Sequence, residues 1–369
     1  QLNEGGGGTM AISLQAVLAE TIRKQATDIH LGTGLHPTVR IDGDLLALTS
    51  YGILNAEDVR SMTGEVLTRK QIEELEEKLE MDFSFTFTAP TGESSRFRGN
   101  CFFERGNPGM ALRTIPTKIR TIAELKLPPR LEEVTKKHRG LFLVTGPTGS
   151  GKSTTLASLI QEINHTRACH IVTIEDPIEY LHTSVMALIH QREVGTDTWS
   201  FAEALKRVLR QDPDVILIGE MRDLETIAAA VTAAETGHLV FATLHTQGAA
   251  QTVDRIIDVF PPYQQQQIRQ QLSNVLIGAC TQQLIPTPGG GRVVATDLMF
   301  ATPAVRNLIR EAKVSQMVSV MQTGSSFGMH TMDQDLARLV RDGVIPFDTA
   351  RARAHDPKDL ERLVFETAF

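Results

Sequence analysis

Residues 141–153 are Leu-Phe-Leu-Val-Thr-Gly-Pro-Thr-Gly-Ser-Gly-Lys-Ser, a short apolar run that leads into the pattern G-x-x-x-x-G-K-[ST] at Gly146–Ser153. Glycines let a backbone come close to an anion, and successive N–H groups of such a loop point at phosphate oxygens. The residues that follow, 154–163, have a helical pattern, so the positive end of a helix also faces the loop. The stretch therefore predicts a strand, a phosphate-binding loop and a helix, the opening unit of a nucleotide-binding α/β domain.

The loop and the first helical residues form the predicted phosphate-binding set. Its members are Gly146, Pro147, Thr148, Gly149, Ser150, Gly151, Lys152, Ser153 and Thr154. We expect the Lys152 ammonium to reach the β- and γ-phosphates and the Ser153 hydroxyl to hold Mg²⁺. ATP and Mg²⁺ are accordingly the predicted ligands.

Acidic residues follow two further apolar runs, at positions where catalytic groups of an α/β sheet lie. Residues 174–179 are Ile-Glu-Asp-Pro-Ile-Glu, whose carboxylates are placed either to order Mg²⁺-bound water or simply to form a polar turn. Residues 215–220 are Val-Ile-Leu-Ile-Gly-Glu, an apolar strand that ends in an acid. This Walker B pattern predicts that Glu220 polarises the attacking water, directly or through the metal, and so joins Ser153 in the predicted metal site.

A histidine and several arginines complete the candidate site. His245 directly follows the apolar run 239–244, where it is placed to sense the γ-phosphate or to stabilise the transition state. Phosphoryl transfer also uses positive charge from arginine, often from a neighbouring subunit. The arginine candidates are Arg96, Arg98, Arg105, Arg113, Arg210 and Arg255.

Composition limits the classes of protein. A chain of 369 residues with 41% hydrophobic residues predicts two folded domains. The net charge of −7 argues against a dedicated nucleic-acid binder, and no apolar run approaches the roughly 20 residues of a membrane span. The cysteines, Cys101, Cys169 and Cys280, are far apart and form neither a metal finger nor a disulfide framework, which favours a reducing cytoplasm.

Changes in pattern predict the domain boundaries. Residues 1–10 are glycine-rich and predict a flexible lead-in without the apolar core of a signal peptide. Residues 11–116 predict a small α+β domain, with an Asp-Gly hairpin turn at 42–43 and an alternating strand through Phe83, Phe85 and Phe87. Residues 117–139 predict a linker, and 140–369 a parallel-sheet ATPase domain with helices after Pro303. The predicted strands of that sheet are 141–145, 170–174, 215–218 and 239–243.

Taken together, these segments resemble the secretion and pilus ATPases, and specifically the PilT-type retraction motors. The matching pieces are the phosphate loop, an Asp-box-like 173–180, a Walker-B-like 218–223 and a His-box-like 243–246. Residues 304–311, Ala-Val-Arg-Asn-Leu-Ile-Arg-Glu, match a C-terminal stretch characteristic of retraction motors. The resemblance covers nearly all of the chain after Met10.

The resemblance implies an α/β fold, with a RecA-like P-loop ATPase domain and a smaller N-terminal PAS-like α+β domain. It implies a homohexamer that binds ATP between its two domains, lies at the inner face of the cell membrane and acts on an inner-membrane pilus platform protein. It leaves room for a paralogous accessory ATPase as a partner. Among the site residues it makes Glu220 the catalytic acid, assisted by Glu179 and the His-box His245, with Arg98 and Arg113 reaching the nucleotide.

Pilus retraction, and with it twitching motility, is thus the predicted function, and two alternatives stay open. One is a nucleotide-gated accessory ring subunit with little hydrolysis, against which the intact Glu220, Glu179 and His245 argue. The other is a secretion or conjugation motor of the same fold, against which residues 304–311 argue by resemblance. Pilus-extension and type II secretion relatives usually carry a four-cysteine metal-binding insertion, which three scattered cysteines do not provide.

Overall fold

The computed structural model describes residues 12–41, 44–115 and 118–365, which form two compact units. The first unit extends through Lys118 and also includes the short segment Glu179–Leu181. The second consists of Ile119–Ile178 and the chain from His182 onward. The predicted lead-in at 1–10 and the Asp-Gly turn at 42–43 lie outside the described residues.

The first unit is a six-stranded antiparallel sheet covered by helices, in the order β3-β2-β1-β6-β5-β4. Its strands are β1 Asp28–Gly32, β2 Thr38–Ile41, β3 Asp44–Ala47, β4 Glu80–Thr88, β5 Ser94–Glu104 and β6 Asn107–Ile115. Its helices are α1 Leu14–Arg23, α2 Ala56–Val66 and α3 Arg69–Lys78. Asn55 and Thr68 begin α2 and α3 with capping boxes, each of which satisfies the free N–H groups of a helix start.

The alternation of phenylalanines in β4 has the predicted effect. Phe83 is buried, and its ring stacks on that of Phe85 with centroids 5.9 Å apart. Phe85 in turn stacks on Phe97 of β5, with centroids 5.4 Å apart. Side chains two residues apart share one face of a strand, so this row joins β4 to the core of the first unit.

The second unit is built on a seven-stranded sheet in the order β13-β12-β7-β11-β10-β8-β9. Its strands are β7 Gly140–Thr145, β8 His170–Glu175, β9 Leu188–Glu193, β10 Val215–Ile218, β11 Leu239–Leu244, β12 Leu276–Pro286 and β13 Arg292–Phe300. All neighbours are parallel except β12 and β13, which pair antiparallel. The four predicted strands are all present, while β9, β12 and β13 were not predicted.

Helices cover both faces of this sheet. They are α4 Leu131–Thr135, α5 Lys152–Thr166, α6 Phe201–Val208, α7 Leu224–Glu235, α8 Ala249–Asp258 and α9 Pro262–Val275. Phe142 and Val144 of β7 face a core that includes α4 and α5, whereas Leu141 and Leu143 face one that includes α6 to α9. A strand buried on both sides has a continuous apolar sequence, which explains why β7, β10 and β11 were predictable.

The segment predicted as a linker, 117–139, belongs to the second unit from Ile119 onward. Ile122, Leu127, Leu131 and Val134 are buried in the same cluster as the apolar face of α5. These apolar side chains give the segment a fixed place on the ATPase core.

Short helices follow residue 302, as the sequence predicts. They are α10 Pro303–Arg310, α11 Met317–Thr323, α12 Met332–Arg341, α13 Phe347–Arg351 and α14 Pro357–Phe365. Met332 and Leu336 of α12 pack on Ile285 of β12 and Ala295 of β13 in one buried cluster. None of the helices in the described ranges combines the length and apolar character that crossing a membrane requires.

Candidate functional site

The phosphate loop has the predicted form: β7 ends at Thr145, and α5 begins at Lys152. Gly146, Gly149 and Gly151 have φ angles of 139°, 77° and 90°. Residues 147–149 are exposed, whereas Ser150 is buried. The loop therefore presents its outer backbone to solvent at the N-terminus of a 15-residue helix, where an anion is stabilised.

Lys152, Ser153 and Thr154 form the first turn of α5 and are half-buried. The Lys152 ammonium donates to the carbonyl oxygens of Gly146, at 2.9 Å, and Pro147, at 3.1 Å. A cation, a hydroxyl and a helix N-terminus thus meet at one loop, and this donor set fits a nucleotide phosphate with its Mg²⁺. Among the described residues no cluster of three His, Cys, Asp or Glu side chains that could hold a metal ion occurs.

Glu220 lies two residues past the end of β10 and contacts the side chains of Arg222 and His245. Arg222 brings Nε to 2.6 Å from Oε1 and donates from Nη2 to Oε2 at 2.6 Å, a bidentate pair. Nε2 of His245 lies 3.1 Å from the same Oε1. The Glu220 side chain is 18% exposed, so it is largely sheltered but open to a small molecule such as water.

Opposing effects act on the acidity of Glu220. Burial raises the pKa of its carboxyl, but the hydrogen bonds and charge of Arg222, followed by those of His245, outweigh burial and hold the pKa below its usual value. Glu220 is therefore ionised at neutral pH. An ionised carboxylate in this position accepts a proton or orients water.

The sheet brings the predicted strand-end segments together. The backbone N–H of Gly219 donates to Ile174 of β8 at 2.7 Å, and the hydroxyl of Thr243 on β11 donates to the carbonyl of Gly219 at 2.5 Å. Glu175, the last residue of β8, accepts from Thr173 at 2.6 Å. Since β8, β10 and β11 are adjacent and parallel, their carboxyl ends place Glu175, Glu220 and His245 at one edge of the sheet.

Arg222 is the residue of this cluster to which sequence reasoning assigned no role. It lies in the quoted segment 218–223, but its importance comes from a bidentate contact across a turn. The spacing Glu-x-Arg after a Walker B strand is the signal that was available.

The predicted residues Arg98, Arg113 and Glu179 lie in the first unit. Arg98 of β5 and Arg113 of β6 are directly opposite each other in the antiparallel register. Arg113 also pairs with Asp28 of β1, whose Oδ1 lies 2.8 Å from Nε. Both arginines line a cavity of about 440 Å³. Glu179 lines the same cavity and belongs to the first unit by its contacts.

The same cavity also carries the carboxylates of Asp28, Asp82 and Glu179, so acidic side chains accompany the two arginines. Like charges directly opposite each other on adjacent strands are unfavourable unless an anion offsets them, and the Asp28 carboxylate provides that offset for Arg113. The predicted contacts of Arg98, Arg113 and Glu179 with a nucleotide stay predictions. The other arginine candidates are distributed: Arg96 lies on β5, Arg105 between β5 and β6, Arg210 after α6 and Arg255 on α8.

Known proteins resemble this chain along almost all of its length. Residues 4–289 match the family model "Type II/IV secretion system protein". The type IV pilus retraction ATPase PilT of Pseudomonas aeruginosa is 48% identical over 348 residues, 94% of this chain and 100% of that protein. A twitching motility protein of Neisseria gonorrhoeae is 49% identical over 325 residues, 88% of this chain and 86% of that protein.

Among solved structures, a crystal structure of the pilus retraction motor PilT with bound ADP superposes with a TM-score of 0.89. The two chains are 48% identical, and the match covers 95% of this chain and 99% of the other. The α/β architecture, an N-terminal antiparallel-sheet domain followed by a P-loop ATPase domain, is therefore shared over both units. By family match, identity and fold, the chain belongs to the type II/IV secretion system protein family.

Proposed function

We propose that the chain is a Mg²⁺-dependent ATPase motor that powers type IV pilus retraction, and with it pilus disassembly and twitching motility. The observation that carries the proposal is the identity of 48% with a pilus retraction ATPase over the full length of that relative. The phosphate loop next to a sheet edge that carries Glu220 and His245 supports hydrolysis as the chemistry.

Different residues of the second unit bind the phosphates and activate the attacking water in this proposal. Loop N–H groups and the N-terminus of α5 hold the β- and γ-phosphates, and Lys152 exchanges its bonds to loop carbonyls for bonds to phosphate. Ser153, with Glu220 acting through a water molecule, would hold Mg²⁺, and the ion would supply charge neutralisation for the phosphates. Glu220, kept ionised by Arg222, orients the attacking water and accepts its proton, while His245 holds the carboxylate in place.

The assembly that we propose is the one that the resemblance to retraction motors implies. We propose a homohexamer in the cytoplasm, at the inner face of the cell membrane, which transmits its motion to an inner-membrane pilus platform protein. In this proposal Arg98 and Arg113 contribute positive charge to the nucleotide, and Glu179 assists Glu220 from the Asp-box-like segment. A paralogous accessory ATPase is a further partner of such a ring.

The proposal is tested by comparing Glu220→Gln with a matched control, Glu225→Gln. Glu225 is an exposed glutamate on α7 whose contact is the surface pair with Lys206. We expect turnover of ATP to fall about 100-fold or more in Glu220→Gln, because a general base contributes about 10²- to 10⁴-fold, and to stay unchanged in the control. Turnover of the wild type near zero would instead indicate an accessory subunit, and wild-type turnover in Glu220→Gln would refute the site.

Cells lacking the gene test the biological role. Hyperpiliated cells that do not twitch, and that are restored by the wild-type gene but not by Glu220→Gln, are the expected result. Cells without pili would indicate an assembly motor. Unchanged piliation and motility would refute retraction and point to a different cargo.

A further inference from the structure

Gln282, a residue of β12 without an assigned role, lies beneath the phosphate loop. Its side chain is buried, with 1% exposure. Strand β12 pairs with β7, the strand that leads into the loop. Nε2 of its amide donates to the carbonyl oxygen of Ser150 at 2.8 Å. The hydroxyl of Thr155 on α5 donates to its Oε1 at 2.9 Å. One side chain thus joins the end of the loop to the helix that follows it.

The loop is packed tightly against the same residue. A Cβ on Gly146 would lie 2.4 Å from the carbonyl oxygen of Gln282, and a Cβ on Gly151 would lie 3.1 Å from Nε2. Both glycines also have φ angles in the left-handed region. Contact with β12 within the protein itself therefore excludes a Cβ at Gly146 and leaves little room for one at Gly151, in addition to any contact with a phosphate.

The side chain of Ser150 does not hold the loop in place. Its hydroxyl is buried and has no hydrogen-bond partner among the described residues, whereas its carbonyl is bound by Gln282. A buried amide that makes two well-formed hydrogen bonds has little freedom, because breaking either bond leaves a buried polar atom without a partner.

The strand that carries Gln282 is itself fixed. Gln282 lies opposite Thr296 of β13 in the antiparallel register. Thr296 donates its backbone N–H to Oδ2 of Asp335 on α12 at 2.8 Å. The loop is thus attached through one side chain to a paired strand that the C-terminal helices anchor.

We propose that Gln282 is a positioning residue that holds the phosphate loop in its binding conformation before nucleotide arrives. It acts through the Ser150 carbonyl and the Thr155 hydroxyl, without touching the nucleotide. A loop formed in advance loses less conformational freedom on binding, which strengthens phosphate affinity. The effect on affinity rests on the proposed ATPase function, whereas the effect on the loop is a property of the chain without nucleotide.

The test compares Gln282→Met with the control Gln283→Met. Methionine keeps the length and packing of glutamine but forms neither hydrogen bond. Gln283 is the next residue of the same strand, is half-buried and faces the opposite side of the sheet. The first measurement is hydrogen–deuterium exchange of residues 146–152 in the full chain without nucleotide, and the second is the Kd for ADP by titration calorimetry.

In Gln282→Met we expect faster exchange in the loop and a Kd for ADP raised about tenfold. A tenfold change corresponds to the loss of one or two hydrogen bonds that position the loop. The control keeps wild-type values for both. Exchange and affinity equal to those of the control would overturn the proposal. Faster exchange with unchanged ADP affinity would overturn it as well, since the loop would then bind phosphate whatever its resting shape.

A second variant covers the case in which Gln282→Met does not fold. Thr155→Val keeps the shape of the side chain and removes only the hydroxyl that orients the Gln282 amide. A smaller rise of loop exchange is expected, and unchanged exchange would overturn the proposal. If loop exchange rises but the wild type itself binds no ADP, the proposed ATPase function fails while the positioning role of Gln282 stands.

Discussion

Asp297 provides a prediction about stability and pH, tested by Asp297→Asn. The residue lies on β13 with 5% exposure. Its Oδ2 accepts the backbone N–H of Ala249, the first residue of α8, at 3.2 Å, and Oδ1 has no hydrogen-bond partner among the described residues. Burial raises the pKa of the carboxyl to about 7, since a single backbone hydrogen bond compensates only in part for the lost water.

The magnitude follows from linkage between protonation and folding. The ordinary pKa of this carboxyl is 3.8 and the folded value is about 7, so the folded state favours the protonated form. The stability contribution is therefore fully present below about pH 4 and is lost as the pH rises to about 7. At about 1.4 kcal/mol per pKa unit, the total loss is about 4 kcal/mol. Asparagine has nearly the same shape and does not titrate. The free energy of unfolding of Asp297→Asn should therefore not fall by this amount as the pH rises.

Urea unfolding of both proteins between pH 4 and pH 8 measures the difference. We expect the variant to gain stability relative to the wild type through pH 4–7, and the difference to level off above pH 7. Asp348→Asn, at an exposed position of α13, serves as the control and is expected to follow the wild type. Stability curves of the wild type and Asp297→Asn that stay parallel from pH 4 to pH 8 would refute the raised pKa.

Two further predictions concern the candidate site. Replacing Arg222 with Met removes the main partner that lowers the pKa of Glu220. The acidic limb of the pH–rate profile for ATP hydrolysis should therefore move to higher pH. A profile that keeps its position would contradict this electrostatic role of Arg222. Replacing both Arg98 and Arg113 with Gln should raise the KM for ATP about tenfold, the scale of one charge-assisted hydrogen bond. The thermal midpoint should change little, because the ion pair that Arg113 forms with Asp28 involves a largely exposed arginine side chain. An unchanged KM would separate these arginines from nucleotide binding.

The sequence predicts the centre of the ATPase sheet because burial on both faces leaves a simple pattern. The runs 141–145, 215–218 and 239–243 are almost purely apolar, and each is a strand. The phosphate loop is predictable for a different reason, since its glycines and lysine satisfy local backbone geometry. Both patterns lie in consecutive residues, so sequence alone identifies them, although contact with β12 also constrains the loop glycines.

Strand β9 was missed because it lies at the edge of the sheet. Its sequence, Leu-Ile-His-Gln-Arg-Glu, becomes polar after two residues and resembles a loop. One side of an edge strand has no partner strand, so polar residues are tolerated there. The strand forms because it pairs with β8, and a local sequence pattern does not reveal that pairing.

Strand β12 was missed for a reason connected with the site. Its sequence, Leu-Ile-Gly-Ala-Cys-Thr-Gln-Gln-Leu-Ile-Pro, places buried polar residues where a core strand usually has apolar ones. Thr281 is bonded to Thr145 through their hydroxyls at 2.6 Å, and Gln282 is bonded to Ser150. Both partners are more than 130 residues away in the chain. The polar residues that obscure the strand pattern are therefore the ones that support the phosphate loop.

The same reasoning explains which site residues sequence could supply. Lys152, Glu220 and His245 each follow a strand, and adjacent parallel strands bring such residues together. Arg222 and Gln282 act instead by holding another residue in place, and their value appears only when the partner is known. A buried polar residue that breaks the pattern of a strand beside a phosphate loop is thus itself a signal, because burial without a partner would cost stability. On that argument Thr281 and Gln282, the residues that hide β12 from sequence analysis, are the first places to look for support of the site.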